Sequence, residues 1–340
     1  MSEKDYPSGP DNLRPGWVDE RTLDFKTGGG FHSRRLDQYL AGRFSYFSRQ
    51  FFQKLIKEGN VLVNGKPAKA SMKIFPGDHI HAELPDPEPY GVQPEYVPLN
   101  ILFEDDDIIV IDKQPGVVVH PARGHRFQTL VGGVLFHSQS LSEVDDPLRP
   151  GIVHRLDKDT SGVILFAKTT RVHSKIAIQW ERRTVDKIYH AIVFGEPEHD
   201  AGRIDIAIRK HPKHREKQQV TTEGGKHAVT DFRVLERFDG FAYVECVLHT
   251  GRTHQIRVHL QHLGHPIVGD KTYGPPTPTE PMLQRHSTIL GGDPIIPRQA
   301  LHAFRLSVTH PVSGARLEFE APLPLDMRRL LEMLRAYRRG

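Results

Sequence analysis

The spacing of apolar and polar positions divides the chain into unlike parts. Leu36, Tyr39 and Leu40 are spaced for one face of a helix. Ser48 is placed to cap a second helix over residues 49–58, with Gly59 just past its end. Val61-Leu62-Val63 then reads as a short strand and Asn64-Gly65 as a hairpin turn. Pro76-Gly77-Asp78 makes another turn before a strand over 80–84. Residues 31–86 are therefore expected to form one small unit of two helices and a hairpin. The polar stretch 1–30, with Gly28-Gly29-Gly30, reads as a flexible arm. Five prolines between Pro85 and Pro98 predict a semi-stiff linker, placed at 87–98.

Beyond the linker, short β-branched runs recur at 108–111, 163–166, 188–193, 243–248 and 317–319. Helical stretches fall near 171–183 and 253–263. The mixture predicts an α+β fold in which a second domain, 99–325, has a largely antiparallel mixed sheet flanked by helices and loops. Residues 275–298, with six prolines, read as a long loop, and 326–340 as a basic terminal helix. No internal repeat is present.

Composition narrows the class. A chain of 340 residues is long enough for two domains with a sizeable core. The single cysteine, Cys246, excludes an intrachain disulfide framework and a multi-cysteine zinc site. The opening MSEKDYPSGPDNLRPGW has no apolar core, so no signal peptide is expected. No run approaches the roughly 18 apolar residues of a membrane span. A cytoplasmic, monomeric protein with no membrane association is the expectation. Net charge is only +4, but it is unevenly spread. Between Phe31 and Ile74, nine Lys/Arg stand against Asp37 and Glu58. Arg209, Lys210, Lys213, Arg215 and Lys217 cluster against Glu216 alone. Concentrated positive charge attracts phosphates and releases their counterions, although a solvated charged face has the same composition.

The chemistry is concentrated in residues 151–169, GIVHRLDKDTSGVILFAKT. His154, Arg155, Asp157, Lys158, Asp159 and Thr160 lie between two apolar runs, on a loop held by the strand that follows. A catalytic group is best placed on such a rigid element. An Asx-type turn at Asp157 or Asp159 is the structural alternative.

This segment resembles the signature motif of the RluA/RluD family of pseudouridine synthases, and the likeness continues in order along the chain. Residues 104–121 resemble the family's first block, although Gln114 stands where proline is usual before Pro115-Gly116. Lys187-Ile188-Tyr189, residues 250–257 (TGRTHQIR), His265-Pro266-Ile267, Gly269-Asp270 and Ala300-Leu301-His302-Ala303 also fit. The unit at 31–86 resembles the S4-type RNA-binding domain, or alpha-L motif, through Arg35-Leu36-Asp37, Ser48-Arg49, Ile56, Gly59, Val61 and Val63-Asn64-Gly65.

The resemblance implies an isomerase that breaks the bond between uracil nitrogen and ribose, turns the base and rejoins it through carbon. Nothing is oxidised or imported, so no cofactor and no metal are expected. No phosphate-binding or dinucleotide fingerprint is present. Asp157 matches the family's nucleophile, acting covalently or by removing a proton. Arg257 matches its basic partner, expected to hold Asp157 by a charge-assisted, bidentate contact. Tyr189 matches the active-site tyrosine, whose ring can stack on uracil and whose hydroxyl can help remove the proton from carbon 5. Arg155 is placed to fill the gap left by the flipped base or to hold its phosphate. Leu156, Arg252, His254 and Gln255 are expected at the substrate. Arg209, Lys210, Lys213 and Arg215 fall where the family grips RNA, and Arg35, Arg49 and Lys54 are expected to contact RNA from the small unit. The implied substrate is large-subunit ribosomal RNA, free or in pre-ribosomal particles, with transfer RNA as the alternative.

Three other readings compete. His254, His259, His262 and His265 are close enough to suggest a metal hydrolase, but no Glu or Asp accompanies them. A binding-only protein should have lost Asp157, Tyr189 or Arg257, and all are present. A glycosidase built on Asp157 and Asp159 is weaker, because side chains two residues apart in an extended segment diverge.

Overall fold

The computed structural model describes residues 22–44, 47–84, 91–122, 125–138, 141–142, 149–214, 216–274 and 296–337. The chain falls into two compact units, Met1–Tyr90 and Gly91–Gly340.

In the first unit, β1 (Thr22–Lys26), β2 (Arg34–Arg35), α1 (Leu36–Arg43), α2 (Arg49–Lys57), β3 (Val61–Val63), β4 (Lys66–Pro67), β5 (Lys73–Ile74) and β6 (His79–Glu83) follow in order. Strands β1, β6, β3 and β4 make one sheet, and β2 pairs with β5. Ser48 caps α2, its hydroxyl accepting from Phe51 N at 3.1 Å. Phe52, Leu55 and Ile56 of α2 meet Leu36 and Leu40 of α1 in the core, where a few such buried side chains supply most of the small unit's stability. Part of the expected flexible arm is ordered: Thr22–Lys26 is a strand antiparallel to β6, with Leu23 buried. Its two apolar residues alternate with charged ones, and its partner lies more than fifty residues away. Residues 1–21 of that arm lie outside the described residues.

The second unit contains β7 (Asn100–Glu104), β8 (Ile108–Lys113), α3 (Leu130–Ser138), β9 (Ser161–Ala167), α4 (Thr170–Glu181), β10 (Asp186–Phe194), β11 (Ala201–Asp205), β12 (Ala207–Lys210), β13 (Gln218–Thr221), β14 (Val229–Phe238), β15 (Phe241–Leu248), α5 (Gln255–His262), β16 (Leu301–Thr309), β17 (Arg316–Glu320) and α6 (Leu325–Tyr337). Its main sheet runs β11-β14-β15-β10-β16-β9-β8-β7, with β17 on β16. Only β16 and β9 run parallel among the described pairs, so the sheet is mixed and largely antiparallel, as the strand pattern implied. Strands β12 and β13 form a separate hairpin.

One expected boundary shifts. Residues 91–98 of the expected linker pack on this unit. Val97 is buried, Glu95 N donates to Gly132 O, and a side chain at Gly133 would meet Val97 at 2.8 Å. The paired glycines that let this segment approach α3 also hid that helix from periodicity. The expected terminal helix is present as α6, and its Met327, Leu330, Leu331 and Leu334 enter the main core at helical spacing. Residues 275–295 of the long loop and 338–340 of the terminal helix lie outside the described residues.

Strand β9 meets β16 at a contact that admits no side chain. Gly162 has φ +110°, and a Cβ there would lie 2.1 Å from Ala303 O. The contact sets where the loop before β9 sits beside β10, the neighbour of β16. Gly162→Ala is expected to lose about 3 kcal/mol of stability or more in urea unfolding, through overpacking and an unfavourable φ. Unchanged stability would show that the crossing relaxes freely.

Candidate active site

The loop preceding β9 is held by its own backbone. Thr160 N donates to Asp157 O at 3.1 Å, closing a turn. Lys113, fully buried, donates from Nζ to Gln114 O, Lys158 O and Thr160 O at 2.9, 2.8 and 2.8 Å. Burial pulls its pKa down to about 7, while the acceptors favour the ammonium. Arg298 donates from Nη1 to Asp159 O at 2.9 Å and grips Asp326 of α6 through Nε and Nη2 at 2.7 and 2.8 Å. Successive carbonyls after Asp157 are thus held by two buried cations. His154 also braces the loop: Nε2 accepts from Leu165 N at 3.0 Å, and the ring stacks on Trp180. Burial lowers its pKa to about 3, so it is a neutral acceptor at neutral pH.

Helix α5 brings Arg257 to this loop. Its Nη1 donates to Asp157 Oδ2 at 3.0 Å. The expected bidentate grip falls elsewhere: Nε and Nη2 hold Asp270 at 2.7 and 2.8 Å. Asp270 is buried, so its charge demands the paired donors, and Asp157 is left with one. Burial alone would lower the Arg257 pKa, but the Asp270 and Asp157 carboxylates hold it above the ordinary arginine value. Burial opposes ionisation of Asp270 too, yet Arg257 and the Thr272 and Tyr273 N–H groups keep its pKa below the usual carboxylate range.

Two cavities meet at Asp157. One of about 120 Å³ is walled by Tyr189, Leu156, Arg155, Arg252 and His254. The other, about 370 Å³, is walled by Arg155, Lys158, His125, Lys271 and Gln299. Tyr189 comes from β10, opposite Cys246 and Ala303. Burial, with the Asp157 charge adding to it, pushes the Tyr189 phenol above its usual pKa. Arg155 is exposed at the mouth of both cavities.

Asp157, Tyr189, Arg257, Arg155, Leu156, Arg252 and His254 are thus brought together. Gln255 also lines the smaller cavity, but its amide is engaged within the protein. Its carbonyl accepts from Thr250 and Arg252, its amide donates to Val229 O and Thr230, and it is buried with nothing left to offer. The close histidines do not converge either. His254 meets Tyr273, His259 meets Thr230 and Ile206 O, and His265 meets Phe194 O. Among the described residues, Asp105, Asp107 and His310 are the cluster with metal-ligand composition. There His310 Nδ1 accepts from Ser313 N and Nε2 donates to Asp105, which consumes both nitrogens.

The expected RNA-contacting residues stand on other elements. Arg209 and Lys210 are exposed on β12, and Lys213 on the turn that follows; Arg215 lies outside the described residues. The hairpin is rooted by Ile208 against Val258 and Tyr273. In the first unit, Arg35 and Arg49 both bind fully buried Asp37, joined by Gln53 at 2.7 Å. Burial would raise the Asp37 pKa, but these three partners drive it well below the usual range. Lys54 is exposed, with only a 3.7 Å ion pair to Glu58.

Asp270, Tyr273, Lys113 and Arg298 are the residues that sequence reasoning left without a role. Asp270 had a signal, a lone acid soon after Arg257, whereas the others are recognised only by what they touch.

Residues 107–262 match the family model described as RNA pseudouridylate synthase, and residues 34–80 match the S4 domain. An RNA pseudouridine synthase of Bacillus subtilis, YlyB, is 46% identical over 89% of this chain and 95% of its own length. Ribosomal large subunit pseudouridine synthase D of Neisseria meningitidis is 42% identical over 98% of this chain and 87% of its own length. Among solved structures, human RNA pseudouridylate synthase domain containing 4 is 27% identical with a TM-score of 0.55, over 69% of this chain and 93% of that one. With an S4 domain ahead of the synthase segment and a carboxylate, guanidinium and phenol gathered at one loop, the chain belongs to the RNA pseudouridylate synthase family, isomerases that turn uridine in RNA into pseudouridine.

Proposed function

We propose that this protein isomerises specific uridines of large-subunit ribosomal RNA, acting in the cytoplasm as a monomer without a cofactor, with Asp157 as the reacting carboxylate. The observation that carries the reading is Asp157 at the junction of two cavities, in contact with a buried arginine. The relatives named for the large ribosomal subunit support the choice of RNA.

A target uridine inside a structured RNA must be turned out to reach Asp157. The smaller cavity has room for a single ring, and Tyr189 offers it a flat wall. A phenol whose pKa is raised keeps its proton at neutral pH, so Tyr189 stacks on the base and is not a resident base for the proton on carbon 5. Arg257 holds Asp157 aimed by a charge-assisted hydrogen bond. Arg155 takes the place left in the helix, while Arg209, Lys210, Lys213 and Arg215 hold phosphates. Residues 31–86 add affinity through Arg35, Arg49 and Lys54, and the chemistry lies in 99–325. Asp37 orients the two arginines, so they present fixed N–H groups at little cost in entropy.

Asp157→Asn keeps the shape but removes the charge. Pseudouridine formation is expected to vanish while RNA binding and the melting temperature stay near wild type; full activity would overturn the assignment. Arg257→Lys should keep a small fraction of the rate. Arg257→Ala should lose about 1000-fold or more and also destabilise the fold by about 3 kcal/mol, because Asp270 is left charged and unpaired. Single-turnover rates and thermal melts separate the two effects, and a wild-type rate for Arg257→Ala would make Arg257 purely structural. A chain beginning at Gly91 should bind RNA more weakly, with a shallower dependence of log affinity on log salt, by about 0.7 to 0.9 for each phosphate that the S4 unit neutralises. An identical slope would remove the S4 unit from the RNA interface.

A further inference from the structure

His254 stands between the two cavities and lines both. Its backbone is left-handed, with φ 57°, a conformation that a side chain other than glycine adopts at a cost and that clusters at working sites. Its Nδ1 lies 2.7 Å from the Tyr273 hydroxyl. Tyr273 is itself buried, and its oxygen accepts the Gln218 N–H from β13 at 2.7 Å. A buried hydroxyl must place its own hydrogen, and Nδ1 is the acceptor within reach. Tyr273 therefore donates to Nδ1, and the ring proton resides on Nε2. A doubly protonated ring would reverse this arrangement, but burial holds the His254 pKa below its ordinary value against the pull of Asp157. Asp157 Oδ2 is 3.8 Å from Nε2, beyond hydrogen-bond length, so the carboxylate does not consume that donor.

We propose that His254 Nε2–H is a catalytic hydrogen-bond donor to a carbonyl oxygen of the uracil ring, and that Tyr273 is the positioning residue that fixes the tautomer. The proposal rests on the pseudouridine synthase reading, and it adds a group that meets the charge of the departing base. When the bond between C1′ and N1 opens, its electron pair leaves with N1 and spreads onto the uracil carbonyl oxygens. The ribose left behind is compensated by the Asp157 carboxylate, and no proton passes to or from His254. A fixed neutral donor stabilises the charged ring more than the neutral nucleoside, and that difference accelerates the step. The fixed tautomer matters because the other one would turn a lone pair toward the developing charge. The Tyr273 ring also covers the Arg257 guanidinium at 4.9 Å, and its backbone N–H binds Asp270 at 3.0 Å. Tyr273→Phe keeps both of these contacts and removes only the hydroxyl.

The test is single-turnover pseudouridine formation on total RNA from cells that lack the gene, over a range of protein concentrations. It yields a maximal rate and a half-saturating concentration separately. Tyr273→Phe should lower the maximal rate about tenfold and His254→Ala about 100-fold. His254→Gln, which retains an N–H donor, should recover part of that loss. The half-saturating concentration should stay within about threefold throughout, as expected for an interaction made only in the transition state. Nitrogen NMR of the histidine-labelled protein should show Nε2–H at His254 in the wild type, moving toward Nδ1–H in Tyr273→Phe. A wild-type rate in Tyr273→Phe, an effect on half-saturation alone, or Nδ1–H in the wild type overturns the proposal. Asp157→Asn runs in the same series. A wild type that forms no pseudouridine sinks the underlying reading and this proposal with it. An active wild type beside an inactive Asp157→Asn leaves the His254 and Tyr273 variants to decide the donor alone.

Discussion

Arg257 is buried beside two carboxylates, and the site depends on how it divides its donors between them. A guanidinium out of water must be compensated, and Asp270 does this with two parallel bonds. That grip fixes the plane of the guanidinium and leaves Nη1 to point at Asp157. Asp270 is fixed in turn by the backbone N–H groups of Thr272 and Tyr273. The Asp157 carboxylate is therefore oriented by a group that cannot swing away. A pair in which Arg257 spent its whole fork on Asp157 would tie up both Asp157 oxygens.

The same economy governs the loop that carries Asp157. Lys113 and Arg298 take the carbonyls of Lys158, Asp159 and Thr160, so the turn is held through its backbone and not through the Asp157 side chain. Arg298 extends this hold to α6 through Asp326, which gives the terminal helix a part in the geometry of the site. Buried cations usually cost more than they return unless their donors are satisfied. Here backbone carbonyls, which would otherwise need partners themselves, satisfy them.

The exposed basic residues and the Asp157 centre stand on different elements. The exposed bases of the β12–β13 hairpin stand on an apolar root, and Arg35 and Arg49 of the S4 domain are aligned by buried Asp37. The hairpin also reaches the centre through the bond from Gln218 N to the Tyr273 hydroxyl that meets His254.

The sequence by itself determined the fold class, the two-unit plan, the signature loop and the membership of Asp157, Tyr189 and Arg257 in one site. Those signals are local: capped helices, alternating strands and ordered motifs. The arm and the linker were misjudged because strand β1 and residues 91–98 acquire their roles from partners distant in sequence. Helix α3 was missed because Gly132 and Gly133 weaken its pattern, and they are there to let another segment approach. Gln255 lines the smaller cavity as expected, and only the tertiary structure shows that its amide already makes four bonds within the protein. The division of Arg257 between Asp270 and Asp157 was likewise decided in three dimensions. A sequence records which charges exist, but the buried ones choose partners by distance and desolvation, and both are set only when the chain is folded.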